Sequence, residues 1–169
     1  SKAALCQPLA TVLKALNRLA RVWPELPKSK RCAVVGGGSL GHMCAQVLAL
    51  KGHQVTVVDR DPHRLEYFAG TGIETANNSG AVSNFDVLVE ATGDPEALDN
   101  MLRLAPSGAT ILMLGFSYAQ RRFFIGDIVA HDKTLVGSAG CGPDEYAQAL
   151  DMMPHLDLDA FLQCILPIE

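Results

Sequence analysis

At 169 residues the chain amounts to about one domain of sequence, and its 49% hydrophobic content is enough to bury a core, which excludes a disordered segment. Lys and Arg number 14 against 18 Asp and Glu, giving a net charge of -4 with no basic block, so nucleic acid is not an expected partner. The longest apolar stretches, such as 109–116, fall far short of the roughly 18 residues of a membrane span, and a soluble protein with no membrane partner is expected.

In chain order, Leu5, Leu9, Val12, Leu13, Leu16 and Leu19 recur at helical spacing with Lys14, Asn17, Arg18 and Arg21 on other faces, predicting an amphipathic helix over 8–22 opened by Pro8. Two prolines in a polar run at 23–30 then mark a loop. Strand and helix patterns alternate from there. Cys32 to Val35 reads as a strand, Leu40 to Leu50 as a helix and Gln54 to Val58 as a β-branched strand, together one βαβ unit. A helix over 62–69, a strand over 85–91, a helix over 95–104 begun by Asp94, and a strand over 109–115 follow. A weak helix over 125–131, a strand over 134–137 and a helix over 143–153 complete the series. Strands apolar on both faces and separated by helices predict a mainly parallel sheet covered on both sides, the doubly wound Rossmann α/β fold. The expected division is a leading helix and linker over 1–30 and a dinucleotide-binding domain over 31–169.

The five cysteines stand singly with no C-x-x-C pair, which fits neither a disulfide scaffold nor a zinc ribbon and points to a reducing cytoplasm. The first twenty residues are interrupted by Gln7, Pro8, Lys14, Asn17 and Arg18 and do not read as a secretory leader. Because the chain starts with Ser1 rather than Met, a longer natural polypeptide is expected upstream.

Gly36-Gly37-Gly38-Ser39-Leu40-Gly41 matches G-x-G-x-x-G, and here it follows a strand, opens a helix and precedes an acid, Asp59, at the end of the next strand. In that context Gly36 permits the sharp turn, Gly38 lets backbone approach a pyrophosphate, and Gly41 lets helix pack on strand. The free N–H groups of Ser39 and Leu40 at the helix start then hold the phosphates. Asp59 is placed to accept hydrogen bonds from the adenosine ribose and to repel a 2'-phosphate, so NAD is expected rather than NADP. Arg60 beside it is the one feature that would attract that phosphate.

These residues resemble the nucleotide-binding half of the medium-chain dehydrogenase/reductase family, the zinc-type alcohol and polyol dehydrogenases. The likeness rests on the glycine turn with Val57-Val58-Asp59, and more specifically on Asp86 to Gly93 as D-x-x-x-E-A-T-G, Pro95-Glu96-Ala97-Leu98, and the strand closing in Leu114-Gly115-Phe116. Leu135 to Ser138 is similar to the family's last sheet strand, 3–10 to the helix by which its chain enters this domain, and 161–168 to the segment by which it leaves. The resemblance implies that Ser39 and Leu40 meet the pyrophosphate, Asp59 and Arg64 the adenosine ribose, and Ala91, Thr92 and Gly93 the middle of the cofactor. Leu114, Gly115, Phe116 and Ser138 would approach the nicotinamide. It also implies a separate catalytic domain carrying substrate and zinc, whose Gly-His-Glu signature is not in this sequence. Zinc is therefore expected only in a full-length parent. The place before Pro-Leu where zinc members offer an acid is Gln7, and Cys6 beside it reads as a small buried hydrophobe.

No Tyr-x-x-x-Lys, no i, i+4 histidine pair and no Gly-x-Ser-x-Gly elbow is present, so other catalytic classes find no support. His42 is expected to pack rather than to react. The expected function is NAD(H) binding for an alcohol or polyol dehydrogenase, with the isolated chain inactive. A dinucleotide-sensing regulatory domain and an adenosylmethionine-dependent methyltransferase are the alternatives, the second because Val58-Asp59-Arg60-Asp61-Pro62 resembles that cofactor's acidic loop. The apolar run Arg121 to Ile125 is expected to form an unpaired edge strand joining two copies as a homodimer.

Overall fold

The sheet is founded on two strands, β1 (Arg31–Val35) and β2 (Gln54–Val58), each of which buries four of its five residues. Successive side chains point to opposite faces, so Cys32 and Val34 enter one core with Leu48 and Val57, while Ala33 and Val35 enter a second with Leu88, Met101 and Ile111. With both faces covered there is no solvent side to demand polar residues, and this is why the strands read as unbroken apolar runs.

The computed structural model describes residues 2–23 and 30–159. Four further strands, β3 (Glu74–Ala76), β4 (Val87–Glu90), β5 (Thr110–Met113) and β6 (Thr134–Gly137), extend the sheet in the order β3-β2-β1-β4-β5-β6, every pair parallel. That is the doubly wound Rossmann order. The register aligns Val58, Val35, Glu90, Met113 and Gly137 in one row, so the carboxyl ends of five strands form a common rim. The chain reverses direction across the sheet between β1 and β4, and the loops leaving their ends open a crevice there.

Helices α1 (Cys6–Val22), α2 (Ser39–Leu50) and α6 (Pro143–Met152) cover one face; α4 (Pro95–Leu104) and the single turn α5 (Gly126–Val129) cover the other. The short α3 (Pro62–Glu66) follows β2. Helix α1 begins at Cys6, ahead of Pro8, because a proline in the first turn forfeits no intrahelical bond. Its Leu9, Val12 and Leu19 are fully enclosed in the same core as α2. In α2 eight consecutive residues, Gly41 to Leu48, are buried, which takes it out of the amphipathic class and seats it between the sheet and α1. Asp61 and Asp94 cap α3 and α4 by accepting from His63 N at 3.0 Å and Glu96 N at 2.9 Å, each followed by proline at the first helical position.

Strand β3 lies outside the expected series because Glu74-Thr75-Ala76 is polar and mostly exposed, as a short sheet edge tolerates. The expected edge strand over Arg121 to Ile125 does not form. Residues 121–124 have no regular structure, Arg121 Nη2 lies 3.5 Å from Asp99 on α4, and Phe123 packs into the second core, so the segment is tied down to its own domain. Phe124 and Ile125 remain 74% and 68% exposed. Among the described residues the sheet's edges are β3, which pairs with β2, and β6, which pairs with β5. The predicted loop core at 24–29, the leaving segment at 161–168 and Cys164 lie outside the described residues. Among the described residues no helix is long and apolar enough to cross a membrane.

Candidate dinucleotide site

Gly36 leaves β1 with φ of +105°, and its N–H donates to Val58 O at 2.8 Å, turning the chain across the rim. A side chain there would meet Thr92 Cγ2 at 2.9 Å as well as a left-handed backbone. Gly41, in the first turn of α2, lies so close to the Gly36 carbonyl oxygen that a Cβ would overlap it. Only glycine allows the helix to start this near the strand end. Gly38 caps α2 without any side-chain hydrogen bond, and His42 N is already spent on Gly38 O at 2.8 Å. The amides of Ser39 and Leu40 therefore open onto the crevice with the positive end of the helix dipole behind them.

Asp59, at the end of β2, is 7% exposed. Its Oδ2 accepts from Gly37 N at 2.6 Å and its Oδ1 from Asp61 N at 2.8 Å, so the carboxylate is fixed against the glycine turn. Arg64 reaches back from α3, with Nη1 3.6 Å from Asp59 Oδ2 and Nε 3.7 Å from Asp61 Oδ2. The structure thus brings together Asp59 and Arg64, which the sequence comparison paired at the ribose. Arg60 goes elsewhere: its side chain is 92% exposed and lies 3.9 Å from Asp94, across the crevice.

Glu90, the last residue of β4, was not among the predicted site residues. Its carboxylate is buried under the loop that follows, where Oε1 accepts from Thr92 N at 2.7 Å, from the Thr92 hydroxyl and from Gly93 N at 3.0 Å. The Thr92 oxygen in turn accepts from Asp94 N at 2.8 Å. This network folds Ala91, Thr92 and Gly93 over the rim beside the glycine turn. An acid ending an otherwise apolar strand, Val87-Leu88-Val89, is the signal that marks it, because a buried carboxylate needs donors arranged for it.

At the far end of the rim, Leu114 N and Gly115 N both donate to Glu90 O at 2.8 Å. The Leu114 side chain belongs to the core, so only its backbone faces the crevice. Phe116 is 71% exposed and meets Tyr118 edge to face at 4.9 Å between ring centres. Ser138 N donates to Met113 O at 3.2 Å, and its buried Oγ has no hydrogen-bond partner among the described residues. Phe116 and Ser138 line a cleft of about 540 Å³ that is closed on its third side by Lys14 and Arg18 of α1.

The glycine turn, uncapped helix start, fixed acid and open rim fit a dinucleotide laid across the carboxyl ends of the strands. A metal is a different matter, since no group of three or more His, Cys, Asp or Glu among the described residues is placed to hold one. Cys6 is buried with Sγ 3.9 Å from Tyr146 O, and Gln7 Nε2 donates to Thr11 Oγ1 at 3.2 Å. His42 packs as expected. It is buried against Phe68, and its Nε2 lies 3.1 Å from Asp157 O, where Gln46 Nε2 also donates at 2.7 Å. Burial holds the His42 imidazole below its ordinary pKa and pushes the Cys32 thiol up to about 12, with Asp86 adding to the latter.

Comparison with known proteins agrees with this geometry. Residues 39–154 match the family model described as zinc-binding dehydrogenase. The chain is 26% identical to L-galactonate-5-dehydrogenase of Escherichia coli K12 over 164 residues, covering 89% of this chain and 46% of that protein. It is 30% identical to glucose 1-dehydrogenase 2 of Vulcanisaeta moutnovskia over 167 residues, covering 88% and 46%. Among solved structures, a Sinorhizobium meliloti 1021 protein described as a zinc-binding dehydrogenase bound to NADP superposes with a TM-score of 0.80 at 22% identity, over 93% of this chain and 50% of that one. The chain spans about half the length of the curated relatives it matches. With the family model covering more than half of its residues, the chain belongs to the zinc-binding dehydrogenases of the medium-chain dehydrogenase/reductase family.

Proposed function

We propose that this chain is the NAD(H)-binding half of an alcohol or polyol dehydrogenase and that it orients the nicotinamide for hydride transfer. The observation that carries the reading is the Asp59 carboxylate, locked by Gly37 N at the end of β2 beside an uncapped helix start. Ser39 and Leu40 amides would bind the pyrophosphate, and the remaining lone pairs of Asp59 would accept from the ribose hydroxyls. Ala91, Thr92 and Gly93, held by Glu90, would support the middle of the cofactor. Leu114 and Gly115 backbone, Phe116 and Ser138 would flank the ring. Bound nicotinamide supplies the carbon that exchanges hydride with the substrate. Family membership supports hydride transfer over the sensor and methyltransferase alternatives.

Because Asp59 is positioned and Arg60 is turned toward Asp94, NAD is the preferred dinucleotide in this reading. Fluorescence titration with NADH and NADPH tests it. NADH should bind more tightly, and Asp59→Ala should weaken NADH by about 1 to 3 kcal/mol while narrowing the gap. Equal affinities in the unaltered chain would overturn the preference. The described residues offer no zinc site, so the chain alone should not sustain NAD reduction on a panel of alcohols. A homodimer forms part of the same proposal, through the one-sided β6 edge and not through 121–125. Light scattering over a dilution series tests that, a constant monomer mass at micromolar concentration speaking against it.

A further inference from the structure

The cleft at the ends of β5 and β6 has a cationic wall formed by two side chains of α1 to which the proposed function assigns no role. Lys14 and Arg18 stand four positions apart on α1, so both side chains leave the same face of the helix. Lys14 Nζ donates to Ala139 O at 2.9 Å and Arg18 Nε to Gly137 O at 3.0 Å. These carbonyls tether two long side chains that would otherwise sweep through solvent, and they hold both charges at the mouth of the cleft. Neither side chain forms an ion pair with a described carboxylate. The tether engages only part of each donor set: among the described residues, Lys14 keeps ammonium hydrogens free and both terminal nitrogens of the Arg18 guanidinium have no partner.

The remaining walls bear on what those donors would meet. Ser138 Oγ, buried and without a partner among the described residues, adds a neutral donor beside Gly137. Phe116 supplies an apolar side, and the volume of about 540 Å³ exceeds what a ring substituent alone would fill. On the proposed function the pyrophosphate sits at the start of α2, and the ribose at Asp59, on β2, lies toward the opposite end of the strand order. In a chain of net charge -4, two tethered cations facing one cleft select for an anion.

We infer that this cleft holds the anionic group, a phosphate or carboxylate, of a polyol or sugar substrate, with Lys14 and Arg18 as its ligands and Ser138 Oγ as an additional donor. The inference rests on the dehydrogenase reading for the placement of the nicotinamide, but the anion site itself depends only on the two cations. Charge-assisted bonds from a guanidinium and an ammonium suit both oxyanions, the guanidinium favouring a two-pronged grip.

Calorimetric titration of the full chain, with and without saturating NADH, separates the possibilities. The probes are ribitol 5-phosphate, gluconate and neutral ribitol. At least one anionic probe should bind about tenfold more tightly than ribitol, with an affinity that falls as salt rises. Which anion wins identifies phosphate or carboxylate as the recognised group. Lys14→Gln with Arg18→Gln should abolish the preference while NADH affinity, read by fluorescence, stays within about twofold. Circular dichroism checks folding, and the single Arg18→Gln change at an exposed position carries the test if the pair destabilises α1. Equal binding of ribitol and its charged analogues overturns the inference. So does anion binding that survives both substitutions, or a loss of NADH affinity in their place, which would give the cations to the cofactor. Absent NADH binding by the unaltered chain would sink the dehydrogenase reading, and the anion arms would still decide the site.

Discussion

The two ends of the strand rim are built on opposite plans. At the β2 end the central charges are engaged: Asp59 is clamped by Gly37 and Asp61 amides, and Arg64 bridges Asp59 and Asp61. At the β6 end, cations are tied to carbonyl oxygens and not to acids, Ser138 Oγ has no described partner, and Phe116 and Tyr118 stand exposed. On the proposed function, the first end is the receptor for the constant ligand, already closed by its own contacts. The second presents unspent donors and apolar surface, as expected of a wall that is completed by whatever binds there. Dinucleotide chemistry is common to a family whereas the substrate changes, so preorganisation concentrates where the ligand is fixed.

Substitutions at the finished end should have the largest effects because nothing there can yield. Gly41→Val drives a branched side chain into the Gly36 carbonyl and must push α2 off β1, through a core in which Leu48 and Val34 are fully enclosed. Urea denaturation should register a loss of about 3 kcal/mol or more, with NADH binding abolished. A variant of unaltered stability would mean that α2 slides freely over the turn, and the comparison would lose its rigid half. Next in size is Glu90→Gln. The amide keeps one acceptor oxygen for Thr92 and Gly93 but introduces an NH2 into a pocket arranged for acceptors, so the loop over the rim should loosen. NADH affinity should fall by about 1 to 2 kcal/mol while Asp59-dependent discrimination against NADPH persists. If discrimination falls as well, the two ends are coupled through the β1–β4 crevice and cannot be treated as separate plans.

How far this division shows in the sequence depends on which interactions are local. The β1–α2–β2 unit is legible because glycine spacing, a β-branched strand and one acid at a fixed offset all lie within 31–59, and the structure joins them by contacts such as Gly37 N to Asp59 Oδ2. Asp94 was legible as a cap because Pro95 follows it. The strand and Ser138 at the β6 end were legible, but its cationic wall was not, since Lys14 and Arg18 meet Ala139 and Gly137 from more than a hundred residues away, and in the sequence they read as the solvent face of an amphipathic helix. Arg121 to Ile125 misled for the related reason that Arg121 pairs with Asp99 on α4 and Phe123 packs into the second core, a packing choice that periodicity does not encode. Glu90 sat inside the quoted D-x-x-x-E-A-T-G motif without a role, because its partners become visible only when the loop folds back over it.

A smaller effect should appear in the pH dependence of stability. His42 is packed against Phe68 and faces Asp157, and His53 lies near Lys51; burial lowers the pKa of both below the ordinary value of 6.5. For His42 the Asp157 carbonyl and carboxylate oppose the shift, and for His53 the Lys51 charge adds to it. A histidine whose folded pKa is depressed binds protons more readily in the unfolded chain, so its neutral form contributes fully above about pH 6.5 and the folded state loses stability as pH falls below that value. The loss should therefore begin near pH 6.5 and grow down to pH 5, and His42→Gln should flatten the slope more than His53→Gln because His42 is the more deeply buried. Denaturation midpoints at pH 7.5, 6.5 and 5.5 measure this. A slope unchanged by either substitution would remove the two buried histidines as its source.

The smallest expected effect tests how tightly the core beneath both ends is sealed. Cys32 is fully buried in β1 with its thiol pushed up to about 12 by burial and by Asp86, and Cys44 in α2 is shifted upward by burial with Cys32 adding. The thiolate is the reactive species, so at pH 7.5 both should resist alkylation on grounds of access and of ionisation together. Cys141, half-buried ahead of α6, is the more accessible thiol. Iodoacetamide treatment of the native chain followed by peptide mass spectrometry should modify Cys141 within minutes and leave Cys32 and Cys44 unlabelled until denaturant is added. NADH should not change the Cys32 rate if the β1–α2 contact is already closed without ligand. A marked slowing by NADH would mean instead that this contact opens in the free chain, and the receptor at the β2 end would be one that its ligand completes.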